Sequence, residues 1–264
     1  MLMPARNTAI APENEAHAQP PAQSDALRDG PPLRYGNSAD PPDSKVQTVE
    51  LIVFLLLIVP ALSTSFLISN QSGFGFIAGA IISILSDLGQ VSLVFYFIWR
   101  NAEPLRRIGW TLGTLPWEVA WGLVLFLPVM YSANLLEGVL ATIGLSAPSK
   151  LPSFLVASGH ARIIMAVVLV TVVAIVEETI FRGYLILRLN SATHSPWAAV
   201  LLSSAVFSLG HGYEGMAGVI SVYFLGVVLG IVYLWRRSLI APMIIHFLID
   251  FSSIVLTAIA GGSS

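Results

Sequence analysis

From Val49 onward the chain is a succession of long apolar runs divided by short polar breaks. Seven runs, near 49–69, 74–99, 117–144, 161–188, 196–212, 215–235 and 240–260, approach or exceed the roughly 20 residues that a helix needs to cross a hydrocarbon core. They predict an all-α fold, a polytopic membrane helix bundle of about seven transmembrane helices. The third run is long, and Pro128 is placed to kink it. The fifth opens with Ser195-Pro196, an N-cap followed by proline at the first helical position, and Ala241-Pro242 opens the seventh on the same logic. The link between the fifth and sixth runs is very short, so this pair is expected to form a tight helical hairpin.

Composition agrees. Of the 264 residues, 55% are hydrophobic and 11% charged, against about 25% charged in a soluble domain. The first 45 residues hold 10 of the 28 charged positions and 8 of the 16 prolines. They lack apolar periodicity and predict a disordered Pro/Ala-rich tail over 1–45. No apolar core of a secretory signal occurs within them, so the first run is expected to be an uncleaved span. The division is then a tail (1–45), N-terminal transmembrane helices (46–160) and a helical core (161–260). A net charge of −2 gives no basic surface for nucleic acid. The absence of cysteine excludes disulfides, thiolate metal sites and cysteine nucleophiles.

Basic residues set the expected orientation. With the N-terminus inside, the inner segments hold Lys45, Arg100, Arg106, Arg107, Arg236 and Arg237, and the outer segments Lys150 and Arg162. Trp99, Trp117 and Trp235 near span ends fit an interfacial aromatic belt.

The chemistry is expected from ionisable residues inside spans. A charge at the bilayer centre costs about 2.5–3.5 kcal/mol on insertion scales. Even so, the last four runs carry Glu177, Glu178, Arg182, His211, His246 and Asp250. Adjacent glutamates project about 100° apart on a helix, so Glu177 and Glu178 have different tasks. Glu178 and Arg182, spaced i,i+4, can pair, which leaves Glu177 to face a cavity. His246 and Asp250 share a face by the same spacing. Glu177 and His211 each lie about 17–22 Å from the inner turn joining the fourth and fifth runs, a common depth at which they could meet. His246 is only a few residues beyond Arg237 and is expected to be shallower. Asp87 and Glu137 are further carboxylates within spans, for which a satisfied polar contact is expected. Ser203, Ser204 and Ser208 read as small residues at a helix contact, as do Gly226 and Gly230.

Such a group could hydrolyse a peptide bond without a covalent intermediate. Glu177 would take a proton from a water held with His211, and His246 and Asp250 would donate to the developing oxyanion. Asp250 can donate only in its protonated form.

The run Glu177-Glu178-Thr179-Ile180-Phe181-Arg182 resembles an EExxxR motif. Phe207 to His211 resembles FxxxH, Gly226 to Gly230 resembles a GxxxG segment, and His246 to Asp250 resembles HxxxN/D. Four motifs in this order, over about residues 161–253, resemble the CAAX prenyl protease type II and bacteriocin-processing (CPBP, also called Abi) family of intramembrane peptidases. The resemblance implies a catalytic role for Glu177, water positioning by His211, an oxyanion pair in His246 and Asp250, and support from Glu178 and Arg182. Asp250 stands where the eukaryotic prenyl proteases have asparagine.

The implied partners are a membrane-associated protein or peptide substrate and the lipid bilayer, in an integral membrane protein of a bacterial plasma membrane. The implied reaction is cleavage near the end of that substrate, with no cofactor. Two alternatives stand beside it. Glu177 or Glu178 with His211 and His246 could hold zinc in a metallopeptidase, or the chain could be a non-catalytic scaffold or transporter.

Overall fold

The computed structural model describes residues 44–67, 75–146, 159–256 and 259. The tail expected over 1–45, apart from its last two residues, lies outside them. The described residues form helices and no strands. Helix α1 (Ser44–Ser63) ends in a 3₁₀ turn (Thr64–Leu67), and α2 spans Phe76–Arg100. A short 3₁₀ helix (Leu105–Ile108) leads to α3 (Leu115–Thr142), which includes Pro128 without interruption. Then come α4 (His160–Glu177), a π-helical stretch (Glu178–Leu185) and α5 (Ile186–Thr193) in one continuous helical run. They are followed by α6 (Pro196–Ser208), a 3₁₀ turn (Leu209–Glu214) and α7 (Gly215–Arg236). The last elements are α8 (Ile240–Asp250) and a π-helical turn (Phe251–Leu256).

Among the described residues five helical runs are long and apolar enough to cross a membrane: Lys45–Leu67, Phe76–Arg100, Leu115–Thr142, His160–Thr193 and Pro196–Arg236. Ile240–Leu256 is apolar but shorter. The Pro196–Arg236 run holds the fifth and sixth expected spans, and it folds back on itself at the 3₁₀ turn. Ser195 caps α6 by accepting from the Ala198 amide at 3.3 Å, with Pro196 at the first helical position. A Cβ on Gly226 would lie 2.9 Å from Ser204 Cβ, and one on Gly230 would lie 2.8 Å from Val200 Cγ1. Both pairs are centred on residue 215, so α6 and α7 run antiparallel and touch through small residues.

One end of the bundle gathers the charges. Arg188, buried on α5, pairs with Glu103 at 2.8 Å and lies 3.9 Å from Glu50 of α1. Glu50 also accepts from Asn101 at 2.8 Å and pairs with Arg100 at 3.7 Å, and Glu103 pairs with Arg107 at 3.5 Å. Nearby, Arg236 of α7 donates twice to Glu118 of α3, at 2.8 and 3.3 Å, and its guanidinium lies over the rings of Trp121 and Trp235. Arg236 is thus a tie between helices as well as a topology signal. Trp99, Trp117 and Trp235 are exposed, as an interfacial belt requires.

Two connections at this end reach inward. The Leu239 amide donates to the Gly109 carbonyl at 2.9 Å. Gly183 is packed so closely that a Cβ there would stand 2.8 Å from the Ile108 carbonyl oxygen and 3.3 Å from Leu239 Cδ1. The start of α8 therefore lies level with Gly183, five residues up from Arg188, or about 7.5 Å deeper. Helix α8 thus begins recessed from the charged end of the bundle.

Candidate active site

Helix α4 is apolar from Ile163 to Val176 apart from Thr171, and its buried face packs on α2 and α8 through Ala166, Leu169 and Val170. At Glu178 the helix changes from α to π geometry, in which each amide bonds one residue further back. All eight residues of the π stretch are buried. Ser203 on α6 donates to the Phe181 carbonyl at 2.6 Å and fastens this stretch from the side. Ser204 and Ser208 donate to backbone carbonyls of their own helix, at 2.7 and 2.9 Å. The serines act as packing residues.

Glu178 is 0% exposed, and its Oε1 accepts from two cationic or imidazole donors. Arg182 Nη1 lies at 2.8 Å from it and His246 Nδ1 at 2.8 Å. Because this oxygen already accepts from the guanidinium, Nδ1 must carry a proton and donate. The opposite nitrogen of the ring, Nε2, then faces Glu177 Oε2 at 3.7 Å and Asp250 Oδ2 at 3.5 Å. Glu177 keeps 19% of its side chain exposed, and its Oε2 has no hydrogen-bond partner. The two glutamates therefore divide as their angular separation predicts, one sealed and one open.

His246 is deep, contrary to the expected shallow placement. Its depth follows from the recessed start of α8. Leu239 lies level with Gly183, so a rise of seven residues brings His246 to the neighbourhood of Glu178, five residues above Gly183 on the π-helical stretch.

His211 sits on the 3₁₀ turn after α6, where its backbone leaves helical geometry (φ −109°, ψ 21°). The turn is tied to the 3₁₀ turn that follows α1: Ser65 Oγ donates to the Leu209 carbonyl at 2.6 Å and accepts from the Gly212 amide at 2.9 Å. The His211 ring lies 5.1 Å from that of Phe207, which in turn lies 6.0 Å from that of His246 and stacks under the Arg182 guanidinium at 4.4 Å. Phe207 thus forms a wall shared by both histidines. His211 Nδ1 and Glu177 Oε2 are both without hydrogen-bond partners, so no bond joins these two atoms.

The structure therefore brings Glu177, Glu178, Arg182, His246 and Asp250 together directly, with His211 reaching the group through Phe207. Asp87, on α2, lies close enough to interact electrostatically with both His246 and Glu177. Glu137 is exposed towards the far end of α3, near Glu214. Among the described residues no three His, Cys, Asp or Glu side chains converge so as to hold a metal ion. His246 already gives Nδ1 to Glu178, and His211 stands beyond Phe207.

No curated protein and no solved structure matches the chain at a significant level. Residues 159–252, the stretch that holds all six of these motif residues, match the family model described as Rce1-like, type II CAAX prenyl endopeptidase Rce1-like, the family that the sequence motifs resemble.

Proposed function

We propose that this chain is an intramembrane endopeptidase that hydrolyses a peptide bond near the end of a membrane-associated protein or peptide. The observation that carries the reading is the shared Glu178 oxygen. By taking Nδ1 of His246, it aims Nε2 at the gap lined by Glu177 and Asp250.

In that gap a water bonded to Glu177 loses a proton to its carboxylate and attacks the substrate carbonyl. The developing oxyanion is met by His246 Nε2–H, which exists when the ring carries both protons, and by protonated Asp250. Glu178 and Arg182 hold the imidazole in that orientation and do not touch the substrate. His211 and Phe207 form the opposite wall and position the water and the substrate. No cofactor takes part. The charged end of the bundle, with Arg100, Arg107, Arg188 and Arg236, lies on the inner side by the positive-inside rule, which places the N-terminus inside a plasma membrane.

The test compares membranes from cells producing the wild-type protein, Glu177→Gln and His211→Ala, by mass spectrometry of newly formed protein termini. Termini present with wild type and absent with both variants, at equal membrane levels of all three proteins, are the expected result. Identical termini from all three would overturn the reading.

A further inference from the structure

Helix α2 carries a buried stripe of Phe76, Ala80, Val91, Val94, Phe97 and Ile98, with Ile84 packed beside it. Asp87 falls on this stripe, at helical spacing between Ile84 and Val91. The opposite face, with Ile81, Ile82, Leu85 and Leu88, is exposed. The stripe packs on α4. Phe76 and Ala80 share a cluster with Ala166, Leu169 and Val170 near one end, and Phe97 stacks on Tyr184 at 6.1 Å near the other. The two helices therefore run parallel with an offset of about 87 residues, which sets Asp87 level with Ala174. That is about 4.5 Å along the axis from Glu177. Asp87 interacts electrostatically with Glu177 and with His246 of α8, while no hydrogen bond or ion pair engages it among the described residues. A carboxylate on a buried membrane stripe with no bonded partner calls for a task.

We infer that Asp87 is a further catalytic residue, the general acid that protonates the leaving amine. This rests on the peptidase reading above. Hydrolysis of an amide needs two proton transfers. Glu177 takes a proton from water as the water oxygen bonds to the carbonyl carbon. When the C–N bond breaks, the departing nitrogen takes a proton from the Asp87 carboxylic acid. The proton held by Glu177 then passes to the Asp87 carboxylate, directly or through a water, and both groups return to their starting states. A pair of nearby carboxyl groups holding one proton between them suits this exchange. Glu177 and Asp87, on parallel helices at nearly the same level, form such a pair, and Arg182 and His246 balance the remaining charge.

The experiment uses purified full-length protein in proteoliposomes and two probes with the same prenylcysteine acyl group. One probe carries an aliphatic amide leaving group and the other a p-nitrophenyl ester, whose leaving group departs without a proton. Asp87→Asn is expected to slow amide cleavage about 100-fold or more, within the range for loss of a general acid, and to change ester cleavage less than about threefold. Asp87→Glu, which keeps the carboxyl group, is expected to recover part of the amide rate. Equal losses on both probes, or no loss on the amide, would overturn the role of Asp87. Glu177→Gln separates this from the reading beneath it: the variant should lose both reactions. Amide cleavage that persists in Glu177→Gln would remove the peptidase reading itself.

Discussion

His246 is bonded to the second glutamate of the pair, not the first: its Nδ1 lies 2.8 Å from Glu178 Oε1, whereas its Nε2 lies 3.7 Å from Glu177. On the proposed reading Glu178 is therefore the positioning residue and Glu177 the one left to react. Glu178→Gln is expected to leave the fold in place but weaken both bonds at Oε1. Cleavage should fall about 100-fold or more, with little change in KM, and steady-state kinetics on the amide probe reads the split. Glu178→Ala goes further and leaves Arg182, 2% exposed, as an unpaired buried cation. Removal of one partner of a buried pair costs about 3–5 kcal/mol, so this variant should unfold at a clearly lower temperature in detergent.

The buried Arg188 joins α5 to α1 and to the segment after α2, far from the catalytic group. Arg188→Ala removes the buried cation that faces both Glu50 and Glu103, whose other ion pairs, with Arg100 and Arg107, are at 3.7 and 3.5 Å. A stability loss of about 3–5 kcal/mol is expected, read as a fall in thermal unfolding temperature. The cleavage rate per folded molecule at low temperature should be unchanged.

The contact between α6 and α7 tests how His211 is placed. Gly226→Leu would drive a branched side chain into Ser204, where even a Cβ stands 2.9 Å from Ser204 Cβ. The hairpin should splay and carry the 3₁₀ turn with it, lowering both unfolding temperature and activity. A substitution at exposed Trp235 should leave the hairpin intact and serves as the comparison.

Chelation separates the water-based reading from the zinc alternative. Incubation with 1,10-phenanthroline followed by desalting should leave the amide-cleavage rate within about twofold of the untreated protein. Loss of activity that only added zinc restores would favour a metal held by these residues.

Much of this arrangement was legible in the chain. The apolar runs, the Ser195-Pro196 cap and the reversal between α6 and α7 follow from local patterns. So does the i,i+4 pair of Glu178 and Arg182, because a helix brings such residues to one face whatever surrounds it. His246 stands out as an ionisable residue within a span and by its motif, but its depth is not legible. A count from the Arg236-Arg237 turn puts it near the surface, while Leu239 is drawn inward against Gly109. The pairs Glu118–Arg236 and Glu103–Arg188 were also invisible, because each joins residues remote in sequence. At span ends, such charges look like ordinary interfacial ones. Asp87 reads as a carboxylate within a span, but its neighbours across α4 depend on the register of two helices, which no single segment encodes.

The π-helical stretch from Glu178 to Leu185 has a consequence for how the protein can change. Bonding five residues back lets a helix absorb a residue that α geometry would have to expel or rotate past. The two parts of the long run are thereby uncoupled in rotation. The portion before Glu178 takes its angular setting from α2 and α8, and the portion after Leu185 takes its setting from α1 and α6. Forcing the stretch into uniform α geometry at its present length would turn Glu177 by about 100° relative to Arg188. The carboxylate proposed to react would swing off its gap while every apolar face stayed greasy enough to insert, a lesion of aim and not of folding.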